Sequence, residues 1–326
     1  MSKKLLFLSL TTLAVALTGC GLKQTSEAIE TPIPTTTATV TEEKEATEPV
    51  KVVHALGETE VPRNPKNVVV FDYGTLDALD TLGVEVIGVA PGTLPDYLEK
   101  YKGDSYVNVG ELFEPNLEKI YELEPELIII GGRQADFYDQ LSEIAPTISM
   151  SLENEDYLGS FKKNMNYLGQ IFNKEEEVAK KLEEVDKAIE EVSTLAKEKD
   201  AKGLIVLAND TAISVYGEAS RFGIIHQNFG VTPVDTTIED AKHGQKATFE
   251  YIVEKNPEYI FVIDRTAVAG GATSAEKLFE NELMKNTDAY KNNRIIYLNP
   301  QAWYVANGGF ISTQIMIDEI KEGLSR

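Results

Sequence analysis

Two arginines sit at the same place in a repeated stretch of sequence. Residues 117–130 read Leu-Glu-Lys-Ile-Tyr-Glu-Leu-Glu-Pro-Glu-Leu-Ile-Ile-Ile, and residues 249–262 read Phe-Glu-Tyr-Ile-Val-Glu-Lys-Asn-Pro-Glu-Tyr-Ile-Phe-Val. Glu118 aligns with Glu250, Pro125 with Pro257 and Glu126 with Glu258, and the same offset of 132 residues carries Arg133 onto Arg265. Each Arg lies just past the C-terminal end of an apolar run that reads as a strand, which is where open α/β sheets bind ligands. A guanidinium is always charged, donates in a planar fork and stacks on rings. The chemistry on offer is therefore recognition of an anionic ligand, in a cleft between two related lobes.

The elements that must position these arginines alternate along the chain. Residues 67–71, 84–89 and 127–130 read as buried strands, with a helix over 75–82 stopped by Gly83 and a Gly131-Gly132 end to the third strand. That rhythm indicates an α/β layer with a parallel sheet. From 157 to 200 no strand signal occurs. Within that stretch Val178, Leu182, Val185, Ile189, Val192 and Leu195 recur at steps of three or four, so 174–199 predicts one long amphipathic helix. Strands resume at 204–207, 213–216, 259–263 and 295–298. The fold class is α/β: two Rossmann-like lobes with central sheets, joined by one long rigid helix. The expected divisions are a lobe over 51–156, a helical segment over 157–200 and a second lobe over 201–326.

Composition narrows the partners. The chain has 326 residues, 31 Lys+Arg against 53 Asp+Glu, and a net charge of −22, which argues against nucleic acid. One Cys excludes an internal disulfide framework and Cys-rich zinc or iron–sulfur sites, and three His leave little for a His-rich metal site. The 42% hydrophobic content suffices for a substantial core, and the length suits two domains. Lys3-Lys4 and the apolar run 5–17 form an export signal, too short to span a membrane as an ordinary helix. Leu17-Thr18-Gly19-Cys20 resembles the bacterial lipobox, which makes 1–19 a signal peptide and Cys20 the lipidated first residue of the mature chain. Its removal takes two Lys and no acid, moving the charge from −22 to −24. Residues 20–50, rich in Thr, Glu and Pro, read as a flexible tether. The globular body then starts near residue 51.

Gly131-Gly132-Arg133, Ser220-Arg221-Phe222-Gly223, His243-Gly244, Asp264-Arg265 and Trp303-Tyr304 carry a resemblance through the whole body, more specific in its second half. In order and spacing they are similar to the iron–siderophore substrate-binding lipoproteins of ABC importers, nearest to the catecholate and petrobactin binders. The resemblance implies a non-enzymatic monomer with no intrinsic cofactor. It would receive Fe(III) as a siderophore complex, be lipid-anchored on the extracytoplasmic face of a Gram-positive cell membrane, and deliver to an ABC permease. It implies that Arg133, Arg221 and Arg265 surround the metal-binding core. It implies further that His243 and Tyr304 complete the iron shell when the siderophore supplies only four donors. Phenolate oxygen and imidazole nitrogen are both suitable ferric ligands. Trp303 and Tyr73 stand as ring-stacking walls, and Glu118 and Glu250 as the residues that meet Arg on the permease.

Plainer readings stand beside these. Arg221 can cap or pair with a carboxylate inside its lobe, His243 can be a solvated loop residue, and Tyr304 a cleft-wall aromatic. Trp303 and Tyr73 can be core. Glu118 and Glu250 are also explained by the helix dipole, and Glu111 and Glu114 compete with Glu118. His54 and His226 receive no role. Among other functions, three Arg favour an anionic chelate over cobalamin, and haem would want one strong axial ligand and an apolar slot. A free zinc or manganese receptor wants clustered His and carboxylates. A secreted hydrolase or chelatase with His243 and Tyr304 as acid and base lacks an activated nucleophile. The chain has no Gly-x-Ser-x-Gly elbow, Walker loop or His-Glu-x-x-His.

Overall fold

The computed structural model describes residues 48–326, so the export signal, Cys20 and nearly all of the tether lie outside the described residues. The strand Val50–His54 pairs antiparallel with Gly57–Val61, and Val50 is buried. Among the described residues the first strand therefore begins at Val50, which pairs with Val61.

The first sheet has five strands in the order Val107–Asn108, Gly88–Val89, Val68–Val70, Leu127–Ile130 and Thr147–Ser149, all parallel. Its central strands are continuous apolar runs because both faces are covered. Val68, Val70, Leu127 and Ile129 enter one core cluster, while Val69, Ile128 and Ile130 enter another. The strand expected over 84–89 is only Gly88–Val89. Val84 N–H still bonds the Leu79 carbonyl at the end of the helix Tyr73–Thr81, so the chain has not yet turned into the sheet.

The second sheet is mixed. Its order is Gln245–Ala247, Ala212–Tyr216, Lys202–Asn209, Tyr259–Asp264 and Ile295–Leu298, with Thr232–Pro233 pairing beside the start of Lys202–Asn209. Lys202–Asn209 runs parallel to Tyr259–Asp264 but antiparallel to Ala212–Tyr216. The reversal takes place at Asp210, which adopts φ 55°. This departs from a purely parallel reading. Again both faces are covered: Ile205, Leu207, Phe261 and Ile263 join one core, and Leu204, Val206, Ile260 and Val262 the other.

Between the sheets lie the helices Tyr157–Phe172 and Glu175–Glu198, broken at Asn173 in the left-handed region. The 24-residue second helix buries Val178, Leu182, Val185, Ile189, Val192 and Ala196, with Leu195 partly covered at the edge of the stripe. The chain crosses between the lobes a second time. After Ile295–Leu298 it makes a wide turn, Gln301–Val305, closed by a bond from Ala306 N–H to the Gln301 carbonyl, and enters the helix Phe310–Leu324. That helix packs on Glu175–Glu198 and on Tyr73–Thr81 of the first lobe. The buried Asp77 carboxylate accepts from Ile311 N–H at 2.9 Å and Ser312 N–H at 2.8 Å, satisfying two donors at the helix start.

Candidate functional site

The repeat does place its two arginines alike. Leu127–Ile130 runs through Gly131 and Gly132 into Arg133, and Tyr259–Asp264 runs directly into Arg265 at the start of Thr266–Ala269. Gly131 is required there, since a Cβ would lie 2.5 Å from Asp72 Oδ2. Arg221 comes from the loop between Ala212–Tyr216 and the short helix Ile224–Gln227, held by a 2.6 Å bond from Ser220 Oγ to the Gly217 carbonyl.

All three guanidinium groups converge on Tyr304. Arg133 Nη2 donates to its main-chain carbonyl at 2.7 Å, and Nη1 donates to the Val305 carbonyl at 3.1 Å. Arg221 Nη2 donates to the same Tyr304 carbonyl at 2.9 Å, and its guanidinium carbon lies 4.5 Å from the Tyr304 ring centre. Arg265 Nε donates to the Tyr304 phenol oxygen at 2.9 Å and Nη1 to Asn209 Oδ1 at 2.8 Å. None of these arginines has a carboxylate partner among the ion pairs of the described residues. Burial and the neighbouring Arg133 charge pull the Arg221 pKa below its usual value. Its buried Nε has no hydrogen-bond partner among the described residues. The alternative of an ion pair inside the lobe is thereby corrected.

Beside this cluster opens a cavity of about 710 Å³. Arg221, His243, Arg265 and Tyr304 line it, together with Tyr216 and Glu250, so four of the expected ligand residues and one expected docking residue share one space. Arg133 is not on its wall. His243 is exposed on a loop turned by Gly244, which has φ 72° and no room for a Cβ: one would come 2.6 Å from the Tyr216 ring. Lys242, Lys246 and Asn209 also line the cavity and were not anticipated. Asn209 ends the strand Lys202–Asn209, so the rule that pointed to Arg133 and Arg265 also reaches it.

Two expected wall residues are not on the wall. Trp303 is 1% exposed, with Nε1 donating to Glu319 Oε2 at 2.8 Å. Tyr73 is fully buried and its hydroxyl donates to the Ala90 carbonyl at 2.5 Å. Each ring is packed in the core and satisfies its polar atom there, so neither presents a free face for stacking. Glu118 and Glu250 are exposed in the first turns of Leu117–Glu122 and Phe249–Lys255, one on each lobe. Backbone and Thr248 hydrogen bonds at the helix start hold the Glu250 carboxyl below its usual pKa. Glu111 and Glu114 are exposed on the adjoining hairpin. Among the described residues, no three His, Cys, Asp or Glu converge on one metal position, and no helix is long and apolar enough to cross a membrane.

Two sheets bridged by helices, with arginines at the sheet mouths, define a solute-binding architecture, and residues 68–302 match the periplasmic binding protein family. The chain belongs to that family. It is 42% identical to the petrobactin-binding protein YclQ of Bacillus subtilis over 99% of this chain and 98% of that one. The crystal structure of YclQ superposes with a TM-score of 0.83 at 44% identity, covering 86% of this chain and 99% of that one. The periplasmic catecholate-siderophore binding protein VctP of Vibrio cholerae gives 0.81 at 38% identity, covering 84% and 100%.

Proposed function

We propose that this protein is an extracytoplasmic receptor that captures a ferric catecholate-type siderophore, petrobactin or a close relative, and delivers it to an ABC permease for iron uptake. The observation that carries this is the convergence of Arg133, Arg221 and Arg265, none paired with a carboxylate, beside a cavity of about 710 Å³. Grouped cations without counter-charges are poised for an external anion. Guanidinium forks suit catecholate oxygens, and their planes suit catechol rings. Similarity to YclQ and VctP, whose names specify petrobactin and catecholate siderophores, supports the narrower ligand class.

In this reading the protein is a binder and not an enzyme. Iron enters as cargo. His243 and Tyr304 would complete the iron shell of a tetradentate siderophore and stand aside for a hexadentate one. Cys20 would carry the lipid anchor beyond a tether that ends near residue 50. The lobes would divide at the helices of 157–200, and Glu118 and Glu250 would engage the permease. The test is a titration with ferric catecholate, hydroxamate and citrate complexes, read by Trp303 fluorescence with recovery of the ligand. Tight, stoichiometric binding of the catecholate, recovered unchanged, supports the reading. Preference for hydroxamate or citrate, or turnover of the ligand, overturns it.

A further inference from the structure

The Tyr304 carbonyl is an unusual acceptor. A carbonyl oxygen has two lone pairs, and both are taken by cations: Arg133 from the first lobe and Arg221 from the second. A neutral oxygen thus holds two like charges together across the lobes. The repulsion is felt, since Arg133 is among the causes lowering the Arg221 pKa. The residue sits in the wide turn Gln301–Val305, whose closing bond spans five residues. Such turns carry one more residue than an α-turn and recur at functional sites.

We propose that Tyr304 is an internal stand-in for the ligand: in the free protein its main-chain carbonyl occupies the position between Arg133 and Arg221 that an anionic oxygen of the incoming chelate takes over. This rests on the proposed siderophore-binding function and adds the step by which the site is loaded. The exchange is favourable because an ionised oxygen adds charge–charge attraction to the guanidinium hydrogen bonds that a neutral carbonyl cannot supply. Only that difference can drive the change. The cavity wall fits this order of events. Arg221 and Arg265 already line it, whereas Arg133 does not and reaches the ligand only after leaving the Tyr304 and Val305 carbonyls. Until then the clasp holds the two lobes together through a residue of the second crossing.

The test is carbonyl NMR of the full chain with ¹³C at tyrosine carbonyls, where Tyr304→Phe identifies the resonance by deleting one of the signals from 14 tyrosines. In the ligand-free protein, Arg133→Ala and Arg221→Ala should each move the Tyr304 signal upfield, as a carbonyl moves when it loses a hydrogen bond. A through-hydrogen-bond coupling from guanidinium nitrogen to this carbon in the unsubstituted protein reads the same contact without any variant. A signal unmoved in both variants, or no coupling, overturns the clasp. Adding the diamagnetic Ga(III) complex of a catecholate siderophore should then move the wild-type signal upfield and abolish the coupling. Binding, seen by Trp303 fluorescence, with the carbonyl signal and coupling unchanged overturns the exchange. Failure of every chelate to bind counts against the functional reading, while the ligand-free measurements still decide the clasp.

Discussion

Replacing Arg221 by Ala should weaken ligand binding strongly and leave the fold as stable as before, or more so. In the structure Arg221 makes one bond to a neutral carbonyl, lies over the Tyr304 ring, faces Arg133, and keeps its Nε buried without a partner among the described residues. Its removal there loses about 1.5–3 kcal/mol of hydrogen bonding from a charged donor and recovers a similar amount by relieving a buried, charged and unsatisfied one. With a chelate present, the same side chain would offer Nε and one Nη to anionic oxygens. Hydrogen bonds involving charged groups contribute about 1.5–3 kcal/mol each, and truncating one partner of a buried charge pair costs about 2–5 kcal/mol. Allowing for the bond already made to Tyr304, about 3 kcal/mol should be lost, roughly a hundredfold in Kd at about 1.4 kcal/mol per decade. Fluorescence titration of Trp303 with a ferric catecholate gives the first quantity, and thermal unfolding without ligand gives the second. Arg221→Lys separates charge from geometry, because it keeps the charge but loses the fork. A Tm lowered by several degrees with unchanged affinity would show that Arg221 is a structural residue, and the argument for a ligand site would fail with it.

Tyr304→Phe removes the phenol that accepts from Arg265 Nε. It should shift the charge-transfer band of a tetradentate ferric complex and leave that of a hexadentate complex in place, so equal spectra for wild type and variant with both ligands would exclude Tyr304 from the iron shell. Glu118→Ala should sharply reduce iron uptake by cells while ligand affinity stays within about twofold, since Glu118 is exposed at a helix start, where single substitutions change stability by about 0.5 kcal/mol or less, and does not line the cavity as Glu250 does. Retained uptake would move the docking role elsewhere, Glu111 and Glu114 being the nearest candidates. Asp235→Asn tests a pH dependence: Lys255 at 2.8 Å, Thr237 and Tyr251 hold the Asp235 carboxyl far below the usual carboxylate range. A depressed folded pKa contributes stability that is complete above the unfolded value of about 4 and is lost as pH falls through the folded one. The variant should therefore be about 2 kcal/mol less stable at pH 7, and the gap should narrow below about pH 4 in urea unfolding. A gap independent of pH refutes the assignment.

How far the sequence could be read depended on which physical signal each residue carries. Leu127–Ile130 and residues 259–263 are unbroken apolar runs because both faces of each sheet are covered, and that pattern is visible in one dimension. Arg133 and Arg265 were legible for the same reason, since a strand that ends also fixes where its next side chain stands. The direction of Ala212–Tyr216 depended on a reversal at Asp210, for which the Asn209-Asp210 pair between two apolar runs was a usable hairpin signal. Trp303 and Tyr73 were not decidable, because an aromatic type says nothing about which way the ring faces. Their orientation follows from Glu319, 16 residues further on, and from the Ala90 carbonyl, 17 residues away. The meeting of Arg133 and Arg221 on one main-chain oxygen had no signal at all, since such an oxygen belongs to every residue alike and only the turn Gln301–Val305 aims it.

The chain's charge of −22 looks at first like an argument against an anionic ligand. Electrostatic energy depends on distance and local dielectric before it depends on totals. Exposed carboxylates act through water, and their influence fades over about 8 Å at physiological ionic strength. Many of them are already matched at short range, as Glu183 is with Lys187 and Glu191 with Lys321 along the inter-lobe helix. Arg133, Arg221 and Arg265 are different in kind. They are partly or largely withdrawn from water, they lack carboxylate partners among the described ion pairs, and they bond only to neutral oxygens. Cations so placed impose their potential on the adjoining cavity with little screening. An acidic exterior and a site for a polyanion are therefore compatible, and the neutral ligands of the three arginines are what leave that potential available to an incoming anion.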